Sequence, residues 1–139
     1  KARNTEISSE GKSYGYLTIT ATSKVADNYE VRPYFYTKVE YSGSPNPSRL
    51  VSIEYGNIDR NYNGVSKQFT GILYYNLENI RTIYFDLNGD FYNNGTTNVG
   101  GGESVGIDGS ATLNFSNSHS REHFKYIRDT QRHVIADIV

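Results

Sequence analysis

Residues 14–25 read YGYLTITATSKV, and the fold turns on this run. Leu17, Ile19, Ala21 and Val25 fall on one side of an extended chain, and Tyr16, Thr18, Thr20, Thr22 and Lys24 on the other. Successive side chains of a strand point to opposite faces. Period-two alternation therefore predicts a strand with one dry and one wet side.

Residues 29–41, YEVRPYFYTKVEY, repeat the device. Tyr29, Val31, Phe35, Val39 and Tyr41 alternate with Glu30, Arg32, Tyr34, Tyr36, Lys38 and Glu40. Ala26, Asp27 and Asn28 read as a tight hairpin connection between the two strands. Pro33 has no N–H to give to a ladder, which predicts an edge strand or a bulge there.

The pattern continues outward. SGSPNPS (42–48) is a loop by its prolines and small polar residues. RLVSIEYG (49–56) predicts a short strand with Val51, Ile53 and Tyr55 on one face, and NIDRNYNG (57–64) a loop. VSKQFTGILYYNL (65–77) predicts a strand with Phe69, Leu73, Tyr75 and Leu77 in phase. After a turn near Glu78 and Asn79, NIRTIYFDL (79–87) is extended. Asn88-Gly89 then reads as a two-residue hairpin turn, because both turn positions need positive φ. DFYNN (90–94) would return, and GTTNVGGG (95–102) would be a flexible loop. SVGIDGSATLNF (104–115) predicts a strand with Val105, Ile107, Ala111, Leu113 and Phe115 inward, followed by a polar loop at 116–120.

The tail, REHFKYIRDTQRHVIADIV (121–139), reads two ways. Phe124, Ile127, Gln131, Ile135 and Ile138 sit at helical spacing. The β-branched density of HVIADIV favours a final strand, with a short C-terminal helix packed over the sheet as the alternative. Seven to nine short antiparallel strands predict an all-β fold, an antiparallel β-sandwich or flattened barrel. Residues 1–13 are expected to be a flexible lead-in or a short edge segment, and 14–139 a single domain.

Composition narrows the function. The chain has 139 residues, long enough for a hydrophobic core without staples. It contains no cysteine, which excludes a disulfide framework and a thiolate metal site. Methionine is absent, and 13 tyrosines accompany many glycines and asparagines. These features set the expectation of a processed, exported chain. The apolar runs are too short to span a bilayer as helices. Formal net charge is −1, and Glu122 and Asp129 interrupt the basic residues of the tail. Nucleic-acid binding needs a basic stripe to displace counterions, so no nucleic-acid partner is expected.

Several motifs hint at chemistry and are incomplete. Gly102-Glu103-Ser104-Val105-Gly106 matches the nucleophile elbow, yet an elbow needs a strand before the serine and a helix after it. Here glycines precede Ser104 and a strand pattern follows. Asp129 and His133 come in the right order behind it, with nothing to aim them at Ser104. Asp86, Asn88 and Asp90 fit the start of a calcium loop, but Phe91 stands where glycine is required and Thr97 where the bidentate glutamate is required. His119, His123 and His133 lie close in sequence without a zinc motif. Asp86, Asp90, Glu103 and Asp108 offer no carboxylate pair that sequence can place across a cleft. Asn94 and Asn114 begin glycosylation sequons, which matter only in a eukaryotic secretory host.

What remains is the wet face of the first hairpin. Tyr14, Tyr16, Arg32, Tyr34, Tyr36 and Lys38 would lie side by side on it. Tyrosine combines a broad apolar ring with a polar tip, which suits recognition of sugars or protein surfaces. The expectation is a secreted or cell-surface binding protein, without catalytic activity or cofactor, for a protein or polysaccharide partner. A secreted antibacterial effector acting on a target envelope is the alternative, and a small hydrolase stands behind both.

Overall fold

The computed structural model describes residues 5–7, 12–43 and 45–135. Every element among them is a strand: β1 (Thr5–Ile7), β2 (Ser13–Thr20), β3 (Ser23–Ala26), β4 (Tyr29–Tyr41), β5 (Arg49–Asp59), β6 (Asn61–Tyr62), β7 (Val65–Ser66), β8 (Gln68–Asn79), β9 (Thr82–Gly101) and β10 (Ser110–Val134). Thr5–Ile7 pairs antiparallel with β2, so part of the polar lead-in is an edge strand. Residues 1–4 and 8–11 of that lead-in, and 136–139 of the tail, lie outside the described residues.

The first sheet holds β4 at its centre, with β2 and β3 along one edge and β5 along the other. The alternation in 14–25 and 29–41 appears as expected: Leu17, Ile19, Ala21, Val25, Val31, Phe35 and Val39 are buried. Asp27 and Asn28 form the tight turn between β3 and β4. Pro33 is neither on an edge strand nor at a bulge. It pairs in register with Ile58 in the middle of the sheet. On its other side Ala21 donates to the Pro33 carbonyl at 2.8 Å, and proline has no N–H to return the bond. The register of β2 on β4 (Thr20 opposite Tyr34) continues unchanged into β3 (Ser23 opposite Val31). β2 and β3 are thus one strand, interrupted where the proline withholds a donor.

The second sheet is a long ribbon bent double. Residues 82–94 of β9 pair with 121–134 of β10, and residues 96–101 pair with 113–118. β8 pairs with β9 along one edge and with residues 110–115 of β10 along the other. Both arms of the ribbon therefore reverse direction, and β8 is gripped between β9 and the returning half of β10. The bend falls at register shifts between Ser118 and Arg121 and between His123 and Lys125. Gly95 (φ 131°), His119 (φ 58°) and Glu122 (φ 59°) carry it in positive φ. The sequence expectation of loops at 95–102 and 116–120 fails here, because polar, glycine-rich segments form the bent arms of this ribbon. Residues 121–134 are strand, so the helical reading of the tail fails for them as well.

Asn88-Gly89 is not a turn. Both residues lie inside β9, where Gly89 sits opposite Gly71 of β8. A Cβ on Gly89 would stand 2.3 Å from the Thr70 carbonyl oxygen and 2.8 Å from the Phe69 ring. This glycine is required for close approach, with the Phe69 ring filling the space. The dipeptide that does turn is Asn63-Gly64, with φ of 53° and 82°, between β6 and β7. It lies in a stretch that reads as loop.

The two sheets pack face to face as a sandwich. Phe35 of β4 meets Tyr75 of β8 at 5.3 Å between ring centroids and Phe85 of β9 at 5.5 Å. Tyr29 meets Phe91 at 6.0 Å and Phe124 at 6.1 Å, closing one end. Each such side chain, once buried, stabilises the fold by roughly 1.5–3 kcal/mol before the entropy of ordering it. The sheets are joined by single bonds such as the Leu50 N–H to the Ile80 carbonyl, not by a continuous ladder, so the sandwich does not close into a barrel. Val105 is buried and bridges Ile53, whereas Ile107, expected inward, is 40 % exposed. The last inward-facing run of this region begins only with β10.

Candidate functional site

The outer face of the first sheet gathers the six residues singled out from the sequence. β4 presents Arg32, Tyr34, Tyr36 and Lys38 in steps of about 6.7 Å, the two-residue repeat of a strand. β2 places Tyr14 and Tyr16 beside them, with Tyr16 opposite Lys38 and Thr20 opposite Tyr34. All six are partly exposed, and no element among the described residues lies over them. Tyr16 stacks on Tyr36 at 5.4 Å with the rings 8° apart. The Lys38 ammonium stands 5.1 Å from the Tyr14 ring centre and 6.0 Å from that of Tyr16.

A seventh residue completes the array, and the sequence expectation put it on the wrong side. Tyr55 was expected inward with Val51 and Ile53. Instead β5 carries two extra residues: the pairing runs Val39–Leu50, Lys38–Ser52, Thr37–Ile53 and Tyr36–Tyr55, leaving Val51 and Glu54 unmatched. Each bulge shifts the phase by one. Leu50 and Ile53 therefore both point inward and are fully buried, and Tyr55 points outward at 48 % exposure. There it stacks on Tyr36 at 5.3 Å. Tyr16, Tyr36 and Tyr55 form one row of stacked rings across three strands. Stacked in this way, the rings cover one another's faces and leave ring edges for contact.

Below the row, Glu40 anchors the face. It is buried under Arg49, at 3.2 Å, and Lys12, at 3.9 Å. The hydrogen bond from Arg49 holds its carboxyl below the ordinary carboxylate range, with Lys12 and the Tyr14 hydroxyl adding to the effect and burial opposing it. At the opposite end of the same face, along β4 from Tyr36, lies a cleft of about 450 Å³ lined by Thr20, Arg32, Tyr34, Asp59, Asn61 and Ser66, among others. Arg32 donates to the Asn61 carbonyl at 2.9 Å and lies 3.8 Å from Asp59 and 3.6 Å from Glu30. Asp59 accepts the Asn61 N–H at 3.0 Å. Tyr34, in the cleft lining, precedes Tyr36 by one two-residue repeat on β4. Burial raises its hydroxyl pKa, and the proximity of Tyr55 and Asp59 adds to the rise.

The other candidates come apart in the structure. Ser104 is exposed and precedes the Val105 bridge, with no helix behind it. Asp129 is engaged by Ser23 and Gln131, and His133 by Gln131 and the Phe85 ring, not by Ser104. Asp86, Asn88 and Asp90 stand in a row along β9 and are bonded to Arg128, Tyr126 and His123 in turn. Four residues of strand put Asp86 and Asp90 about 13 Å apart, too far for a glycosidase pair. His123 and His133 are ten residues apart on one strand, about 30 Å. Among the described residues no group of three His, Asp or Glu side chains is placed to hold a metal ion. No helix among them is long and apolar enough to cross a membrane. Comparison with family models, with curated proteins and with solved structures finds no match to this chain.

Proposed function

We propose that the protein is a non-enzymatic binding module, working outside the cell or at a cell surface. It would hold a protein or polysaccharide partner against the outer face of its first sheet. The observation that carries this reading is the Tyr16–Tyr36–Tyr55 row, an aromatic array left without a covering layer among the described residues. Tyrosines held by stacking lose little further freedom on contact, so they give contact area at low entropic cost. Each stacked pair adds roughly 0.5–1.5 kcal/mol beyond burial, which holds the rings in place before a partner arrives. The sandwich supplies a rigid base, since the opposite face of the same strands carries Phe35, Leu17 and Ile53 in the core.

The test is retention on cell-envelope fractions and on purified polysaccharides, with the Tyr36→Ala/Tyr55→Ala variant beside the parent chain. Loss of retention by a variant that still melts cooperatively is the expected result. Equal retention by the two removes the site.

A further inference from the structure

We infer that the cleft at the Arg32 end of the outer face of β4 is a subsite for one ring of a neutral, hydroxyl-rich glycan whose next rings lie along Tyr34 and Tyr36. This rests on the reading of the outer face as a binding surface and names the class of partner for it.

The balance of charge argues for a neutral ligand. Arg32 is already flanked by Glu30 and Asp59 and donates to the Asn61 carbonyl. Arg60, the other cation of the cleft, donates to the Lys67 carbonyl at 2.6 Å and to Gln68 at 3.3 Å. No excess cation is left for a phosphate, sulfate or uronate, and no excess anion for an amine. What the cleft offers is a close mixture of donors and acceptors: Thr20, Ser66 and Tyr34 hydroxyls, the Asp59 carboxylate and the Asn61 amide. A sugar hydroxyl both donates and accepts, so adjacent hydroxyls of one ring match such a lining. The volume, about 450 Å³, lies within the roughly 300–1,000 Å³ usual for small-ligand sites.

The shape argues against a protein hot spot. Those centre on an apolar or aromatic anchor buried in a dry pocket, and here Ile58 is the one aliphatic side chain in the lining. Addition of a peptide strand needs a free sheet edge, and β4 is the central strand of its sheet. The outer face of β4 from Arg32 to Lys38 is about 20 Å long, enough for several sugar rings, and the stacked Tyr16, Tyr36 and Tyr55 rings cross it at Tyr36.

The experiment is calorimetric titration of the full chain with neutral hexasaccharides of β-1,4-glucose, β-1,4-xylose, β-1,4-mannose and α-1,4-glucose, and with a heparin-derived hexasaccharide as the anionic control. One neutral chain is expected to bind, at least tenfold more tightly than its disaccharide. Asp59→Asn, and independently Thr20→Val and Tyr34→Phe, should each weaken it about tenfold while leaving the melting temperature near that of the parent. Failure of every neutral chain at millimolar concentration, or binding of the anionic chain alone, overturns the inference. Neutral binding that Tyr36→Ala abolishes but all three cleft variants leave intact also overturns it, while the face itself stands. Binding that only the cleft variants weaken would uphold the subsite and remove the aromatic row from it.

Discussion

Tyr55 stacks on Tyr36 at 5.3 Å because β5 is two residues longer than the stretch of β4 it pairs with. The Glu54 bulge turns Tyr55 out, and the Val51 bulge lets Leu50 remain in the core. If the stack supports the face, the two rings are energetically coupled. A double-mutant cycle of Tyr36→Ala and Tyr55→Ala in urea should give a coupling of about 0.5–1.5 kcal/mol. Strict additivity would mean that the rings merely stand near each other.

The glycines make a sharper contrast. Gly64 has φ of 82° and open space where a Cβ would go. Gly64→Ala should therefore cost only the backbone strain of a left-handed residue, about 1–2 kcal/mol. Gly89 has no positive φ, but its Cβ would meet the Thr70 carbonyl and the Gly71 Cα, backbone atoms that cannot swing away. Gly89→Ala should cost about 3 kcal/mol or more. Equilibrium unfolding of both variants measures the difference. A milder effect at Gly89 than at Gly64 would contradict the close approach of β8 and β9.

These positions show why some of the fold was legible in the sequence and some was not. Alternation over 14–25 and 29–41 and the phase of Phe69, Leu73, Tyr75 and Leu77 gave the layers, because burial on one side of an unbroken strand leaves a period of two. Tyr55 was misassigned because bulges leave no local mark on that period. Asn88-Gly89 and Asn63-Gly64 carry the same two letters, and only the tertiary contacts of Gly89 separate a turn from a close crossing. Residues 95–102 and 116–120 read as loops because this part of the doubled ribbon, at its bend, is polar and glycine-rich. The row of Tyr14, Tyr16, Tyr34 and Tyr36 could be seen in advance. The cleft could not, since it needs β4, β5 and the β6–β7 turn brought together.

At the edge of the sandwich, the second half of β10 presents the half-buried Asp129, Gln131 and His133 towards the first sheet in place of apolar residues. Ser23, fully buried, donates to Asp129 at 2.6 Å, and Gln131 donates to the Thr22 carbonyl at 2.9 Å. These bonds tie the free edge of β10 to β3. Ser23→Ala removes a hydrogen bond to a carboxylate, which should cost about 2 kcal/mol. Amides of residues 127–133 should then exchange faster, with those of β8 little changed. Unaltered exchange in β10 would mean that the edge is held by packing alone.

The same chain of bonds makes the fold sensitive to acid. Gln131 gives its amide protons to Thr22 and Asp129, so its oxygen accepts from His133 at 2.7 Å, and the imidazole lies parallel to the Phe85 ring. Burial lowers the His133 pKa, and the nearby Asp129 charge opposes that shift without cancelling it. A group whose pKa is lower folded than unfolded is protonated first in the unfolded chain. The contribution of His133 to stability is therefore complete above about pH 6.5 and declines as the pH falls from there to the lowered value. Glu40 behaves likewise at more acid pH. Arg49 lowers its pKa, so its contribution holds above the carboxylate range and fades as the pH drops through it. The melting temperature should thus fall in two stages on acidification, the first setting in below about pH 6.5 and ending at the lowered His133 value, the second in the carboxylate range. His133→Phe keeps a ring against Phe85 and removes the titrating group, so it should flatten the first stage and leave the second. Arg49→Met should act the other way round, reducing the second stage alone. A first stage that survives in His133→Phe would assign it to another group and detach His133 from the acid response.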